Sequence, residues 1–104
     1  MDMMKMMKQA QKMQQDMQVA QEALGKHEVE ASVANGKVTV TATAAGDVTA
    51  IRIAKDVVDP EDVEMLEDLV LTAVKQALRK GRDYSDQEMK KITGGMGLPP
   101  GMGF

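Results

Sequence analysis

Lys5, Lys8 and Lys12 follow one another at steps of three and four, with no acidic residue among them. On a helix that spacing gathers three cations on one face, and the chemistry available to such a face is contact with phosphates. Lys75, Arg79, Lys80, Arg82, Lys90 and Lys91 form a second basic zone in the last third of the chain. The ordinary reading of a basic helix face is solvation. The missing acids on the first stripe favour ligand binding, and a dimer would present each zone twice. The only aromatic rings besides His27 are Tyr84 and Phe104, too few for a base-stacking platform of the kind that binds single strands. Contacts to a duplex backbone need only Lys and Arg.

Other chemistry fares worse. His27 stands at a helix-to-strand junction without a motif around it, and reads as an exposed or satisfied loop histidine. Ser32 and Ser85 are the hydroxyls outside the Thr-rich strands and helix ends, and neither lies in a Gly-x-Ser-x-Gly turn. Gly25-Lys26 and Gly36-Lys37 lack the upstream glycine and the following Ser or Thr of a phosphate loop. Asp56, Asp59, Glu61, Asp62, Glu64, Glu67 and Asp68 cluster, but their spacing fits no EF-hand, and acids at a helix start complement its dipole. No catalytic residue, metal site or cofactor is expected. The chain contains no cysteine, which removes disulfide and thiolate chemistry.

The elements that must position the bases follow from periodicity. Met3, Met6, Ala10, Met13 and Met17, continued by Ala20 and Leu24, alternate steps of three and four about half a turn from the lysines. That repeat marks the seam of a helix lying along another helix, and a dimer contact is expected there. The helix should span residues 2–24 and stop at Gly25. Val29, Ala31 and Val33, then Val38, Val40 and Ala42, alternate with polar residues around Asn35-Gly36, a strong hairpin signal. A two-residue loop pairs Val33 with Val38, Ala31 with Val40 and Val29 with Ala42. Treating Gly46-Asp47 as a second two-residue turn pairs Ala42 with Ile51 and Val40 with Ile53, and sets Glu30, Thr41 and Arg52 in one row on the opposite, Thr-rich face. That face is either solvated or a dimer contact.

Asp59 as N-cap and Pro60 at the first helical position open a second helix, whose apolar residues from Val63 to Leu78 should cover the sheet. Gly81 reads as its stop, and Ser85 with Glu88 as the capping box of a short third helix ending near Gly94. Residues 95–104 form a Gly/Pro-rich flexible tail in which Met96, Leu98, Met102 and Phe104 either fray or dock. The fold class is α+β, with one domain over residues 1–94.

At 104 residues there is room for one modest core. Sixteen acids against thirteen bases give net charge −3, so any attraction for polyanions depends on where the bases sit. No apolar run approaches a membrane span, and the chain reads as cytoplasmic. An amphipathic helix lying on a membrane surface lacks Trp or Phe anchors over residues 2–24.

Three stretches carry a family resemblance. Met6-Met7-Lys8-Gln9-Ala10-Gln11-Lys12-Met13-Gln14, then Asp59-Pro60-Glu61-Asp62-Val63-Glu64-Met65-Leu66-Glu67-Asp68-Leu69-Val70 with Ala73-Val74 and Ala77, and finally Thr93-Gly94-Gly95-Met96-Gly97-Leu98-Pro99 occur in that order. Together they closely resemble the YbaB/EbfC family of bacterial nucleoid-associated proteins. The resemblance implies a homodimer with helices projecting like tweezers, double-stranded DNA as ligand, a place in the nucleoid, and no enzymatic activity. It carries DNA contact only by location, onto Lys5, Lys8, Lys12 and the region from Lys75 to Lys91. Gly81-Arg82-Asp83-Tyr84 departs from the more continuous helix of relatives, and Ala54-Lys55-Asp56 from the Asp-Pro common after the last strand. The rival expectation is a protein-interaction adaptor using the Met-rich helix and the apolar tail, since Met adapts to varied partners.

Overall fold

The computed structural model describes residues 2–94, so the expected tail at 95–104 lies outside the described residues. Helix α1 spans Met3–Lys26. Its Met, Gln, Lys and Ala content favours helix, and the Asp2 carboxylate accepts the Met4 N–H at 3.0 Å to satisfy one free donor of the first turn. The helix runs through Gly25, and His27 forms its C-cap by donating its N–H to the Leu24 carbonyl at 3.3 Å.

Strands β1 (Glu28–Val33), β2 (Val38–Thr43) and β3 (Val48–Ile53) form an antiparallel sheet in the order β1-β2-β3. The β1–β2 register is the expected one, with Val33 opposite Val38 and Ala31 opposite Val40. Ala34, Asn35 and Gly36 all take positive φ, +55°, +57° and +83°, in a turn closed by the Lys37 N–H donating to the Ala34 carbonyl at 3.2 Å. The β2–β3 register differs from expectation. Val40 faces Ile51, Val38 faces Ile53 and Ala42 faces Val48. The loop holds three residues rather than two: Gly46 donates to the Thr43 carbonyl at 3.0 Å with φ +97°, and Thr43 donates to the Asp47 carbonyl at 2.8 Å. Thr49 is then the extra residue of a bulge between the Ala42–Val48 and Thr41–Ala50 pairs. The apolar residues keep their common face, but the outer row opposite Arg52 is Ser32 and Thr39 instead of Glu30 and Thr41.

A 3-10 turn at Lys55–Val57 leads to helix α2, Val63–Gly94. Asp59 and Pro60 do not cap it. They form a tight turn in which the Asp62 N–H reaches the Asp59 carbonyl at 3.0 Å, and Asp62 is the N-cap, its carboxylate accepting the Met65 N–H at 3.2 Å. Nor does Gly81 end the helix: α2 continues unbroken for 32 residues, and the expected third helix is its last turns. Its path explains the glycine. A β-carbon on Gly81 would stand 2.8 Å from the Thr43 carbonyl oxygen, so only glycine lets α2 pass β2 at this distance.

Ala31, Val38, Val40, Ala42, Ala73 and Ala77 are fully buried, with Val29, Val33, Leu69, Val70, Val74 and Leu78 around them. Alanine at most of these buried positions brings α2 close to the sheet. The helix covers β1 and β2, while β3 lies outside its cover. Val48, Ile51 and Ile53 consequently remain 41%, 45% and 39% exposed. The molecule measures 71 × 24 × 17 Å, and its radius of gyration of 19.5 Å far exceeds the ~13 Å of a compact chain this long. The excess length comes from helices that outrun the sheet.

Candidate nucleic-acid interface

Lys5, Lys8 and Lys12 are exposed on the outer half of α1, and each lacks an acidic partner among the described residues. Burial along the seam rises steadily toward the sheet. Met3 is 75% exposed and Met6 54%, Ala10 is exposed, Met13, Met17 and Ala20 are half-buried, and Leu24 is buried. Since α1 touches α2 and β2, the inner part of the seam is satisfied inside one chain. The outer part, carrying the lysines on its flank, is not.

On α2 the steps of four and three align Lys75, Arg79 and Arg82 on the face turned away from the sheet, and all three are exposed. Asp86 occupies the next place in this row, ahead of Lys90, so the basic surface is interrupted there. Lys80 lies about 100° around the helix from Arg79. Its ammonium donates to the Glu30 carbonyl at 2.9 Å, tying α2 to β1. Lys91 pairs with Glu88 one turn back at 3.3 Å. The nine basic residues therefore do different work: two rows of three face solvent, and Lys80, Lys90 and Lys91 are already engaged.

Three of the seven clustered acids have local explanations. Asp62 caps α2, the Asp59 carboxylate accepts the Glu61 N–H at 2.9 Å, and Asp56 pairs with Lys37, whose hydrogen bond holds the Asp56 carboxyl below its ordinary pKa. No three His, Cys, Asp or Glu side chains are grouped to hold a metal ion among the described residues. A shallow cleft of about 320 Å³ lies between the β2–β3 turn and α2, lined by Ala44, Ala45, Gly46, Leu78, Arg82 and Ser85. Among the described residues Arg82 is the one charged residue lining it, so it forms a recess beside the basic row.

Three features escaped the sequence reading. Lys80 looked like its basic neighbours, and nothing local marked its reach to Glu30. The close approach at Gly81 did have a signal: Ala73, Ala77 and Gly81 recur every four residues, a stripe of small side chains on one helix face. The third is the environment of His27. Its ring lies face to face with Tyr84, centroids 3.7 Å apart and planes within 5°.

Exposed rows of cations on helices that outrun a small α+β core suit the class of nucleic-acid-binding proteins, whose ligands present rows of phosphates. The YbaB/EbfC DNA-binding family model matches residues 1–96, and the chain belongs to that family, whose members are DNA-binding proteins and not enzymes. It is 54% identical to a nucleoid-associated protein of Acetivibrio thermocellus over 93% of this chain and 86% of the relative. A nucleoid-associated protein of Akkermansia muciniphila is 47% identical, with both chains covered completely. The fold matches the crystal structure of uncharacterized protein HP0035 from Helicobacter pylori, with TM-score 0.68 and 17% identity over 92% of this chain and 97% of that one.

Proposed function

We propose that this nucleoid-associated protein binds double-stranded DNA as a homodimer with little sequence preference, helping to organise the chromosome and influencing transcription locally. The observation that carries the reading is the exposed, acid-free stripe of Lys5, Lys8 and Lys12 on a helix projecting beyond the core. Lysine ammoniums meet phosphate as point charges and read no base edge, which favours binding that is indifferent to sequence. Lys75, Arg79 and Arg82 supply a second such row, while Lys90 and Lys91, both already engaged, lie beyond Asp86 near the end of α2.

The homodimer is supported at β3. Among the described residues this edge strand pairs with β2 alone, and α2 leaves Val48, Ile51 and Ile53 uncovered. A second copy would bury that apolar row and double the number of basic rows. The outer seam of Met3, Met6 and Ala10 offers a further surface for packing between copies.

The test is a titration of unrelated duplexes over a range of salt, with the wild type and the Lys5→Gln, Lys8→Gln, Lys12→Gln triple variant. Log affinity should fall against log salt by ~0.9 per phosphate neutralised, so removing six lysine charges per dimer should flatten the slope by about 5. All duplexes should be weakened alike. A folded triple variant with wild-type affinity and slope would make the stripe a solvated face and send the site elsewhere.

A further inference from the structure

We propose that His27 and Tyr84 are positioning residues for DNA binding: their stacked rings fix the direction in which α1 leaves the core, and with it where Lys5, Lys8 and Lys12 meet the duplex. This inference rests on the assignment of those lysines to DNA.

Nothing in the core holds the outer half of α1. Leu24 is its one buried residue among those described, and every residue from Asp2 to Lys12 is exposed. Met13, Met17 and Ala20 are half-buried, so its orientation is set in its inner half and most tightly in its last turns. There the Ala44 N–H donates to the His27 carbonyl at 2.9 Å, which pins the chain to the end of β2, and the His27 ring stacks on Tyr84 of α2. Tyr84 is itself well anchored. It lies three residues beyond Gly81, on the same helix face, where α2 is pressed against Thr43.

A backbone hydrogen bond locates a point but permits rotation about it. Two rings in parallel contact at 3.7 Å resist tilt, because tilting opens one edge of the stack. Lever length makes this matter. From His27 to Lys5 is 22 residues of helix, about 33 Å, so a swing of ~10° at the junction moves the lysine by ~6 Å, more than the ~3.4 Å axial step between phosphates on one strand. A stripe without base readout still depends on all its cations reaching phosphates together. The chain has one His, one Tyr and one Phe, and it places two of the three against each other at the hinge. Both rings are half-buried, outside the fully buried set of Ala31, Val38, Val40, Ala42, Ala73 and Ala77.

The chain contains no cysteine, so spin labels can be placed freely. Labels at Gln9→Cys and Gln87→Cys, both exposed positions, report the distance between the two helices when the labelled protein is diluted into unlabelled protein. Tyr84→Ala should broaden this distance distribution and weaken duplex binding roughly tenfold, the effect of removing one charge-assisted hydrogen bond. Tyr84→Phe keeps the ring and should restore both. His27→Ala repeats the experiment from the other partner should Tyr84→Ala fold poorly, with His27→Phe as its rescue. Wild-type affinity in a folded Ala variant, or weakened affinity with an unchanged distance distribution, would overturn the proposal. So would failure of the Phe variants to rescue. If the triple lysine variant binds normally, the assignment of the stripe fails instead, a result independent of the stack.

Discussion

Gly81 and Thr43 meet where α2 crosses the end of β2. A β-carbon on Gly81 would lie 2.8 Å from the Thr43 carbonyl oxygen and 3.2 Å from the Ala44 α-carbon, both of them backbone atoms that cannot rotate aside. Elsewhere in a helix, Gly→Ala gains up to ~1 kcal/mol. Here the clash should reverse the sign. Gly81→Ala is expected to destabilise by about 1–3 kcal/mol, the usual cost of overpacking, read from urea denaturation. A more stable variant would mean that α2 can move off the sheet at no cost.

The uncovered row on β3 yields a prediction about assembly. Ile51 is 45% exposed in the single chain, so Ile51→Lys should leave the fold of the chain intact. In a dimer joined along β3 it would bury a charge against an apolar surface. Sedimentation should show monomer where the wild type is dimeric, with DNA binding weakened because the basic rows are no longer doubled. An unchanged dimer would direct attention to the outer seam of α1.

Among the bases of α2, structural and ligand-directed roles can be separated. Lys80→Met removes the hydrogen bond to Glu30 and should cost about 0.5–1.5 kcal/mol of stability while leaving the salt slope of DNA binding unaltered. Joint replacement of Lys75, Arg79 and Arg82 by Gln should do the opposite, flattening the slope with little change in melting temperature. Exchanged outcomes would reverse the two roles.

The Asp56 carboxyl is held below its ordinary pKa first by the Lys37 hydrogen bond, with a smaller contribution from the Lys37 charge, against a raising effect of desolvation. A depressed folded-state pKa means the pair stabilises the fold above the usual carboxylate range, and this is lost as pH falls through the depressed value. Because the Lys37 and Asp56 side chains are both exposed, solvent screening should keep the effect on the melting curve negligible. NMR titration of the Asp56 side chain should show its pKa return toward the ordinary value in Lys37→Met. No change would assign the shift to the backbone.

Some of this molecule is written locally. The Asn35-Gly36 turn and the alternation around it determine the β1–β2 register, because a one-residue slip would turn Val29, Ala31 and Val33 to the outer face. The helical spacing of Lys5, Lys8 and Lys12 likewise fixes their common face wherever the helix goes. The β2–β3 register was less legible, since Gly46 can serve a two-residue or a three-residue loop, and the bulge at Thr49 that accompanies the longer one leaves no distinctive residue.

Tertiary contact decided the rest. Gly81 carries the same local signal whether it ends a helix or lets one pass close to a strand, and only the approach of Thr43 selects the second. Lys80 and Arg79 are adjacent bases, yet the rotation of ~100° between them sends one toward the Glu30 carbonyl and leaves the other in solvent. His27 and Tyr84 are 57 positions apart and become neighbours because α1 and α2 meet at the end of the sheet. The sequence by itself determined the elements, their apolar faces and which side of each helix bears cations, since these follow from residue type and a fixed backbone period. Which cations stay free and which way the first helix points depend on distances between elements, and those exist only once the chain has packed.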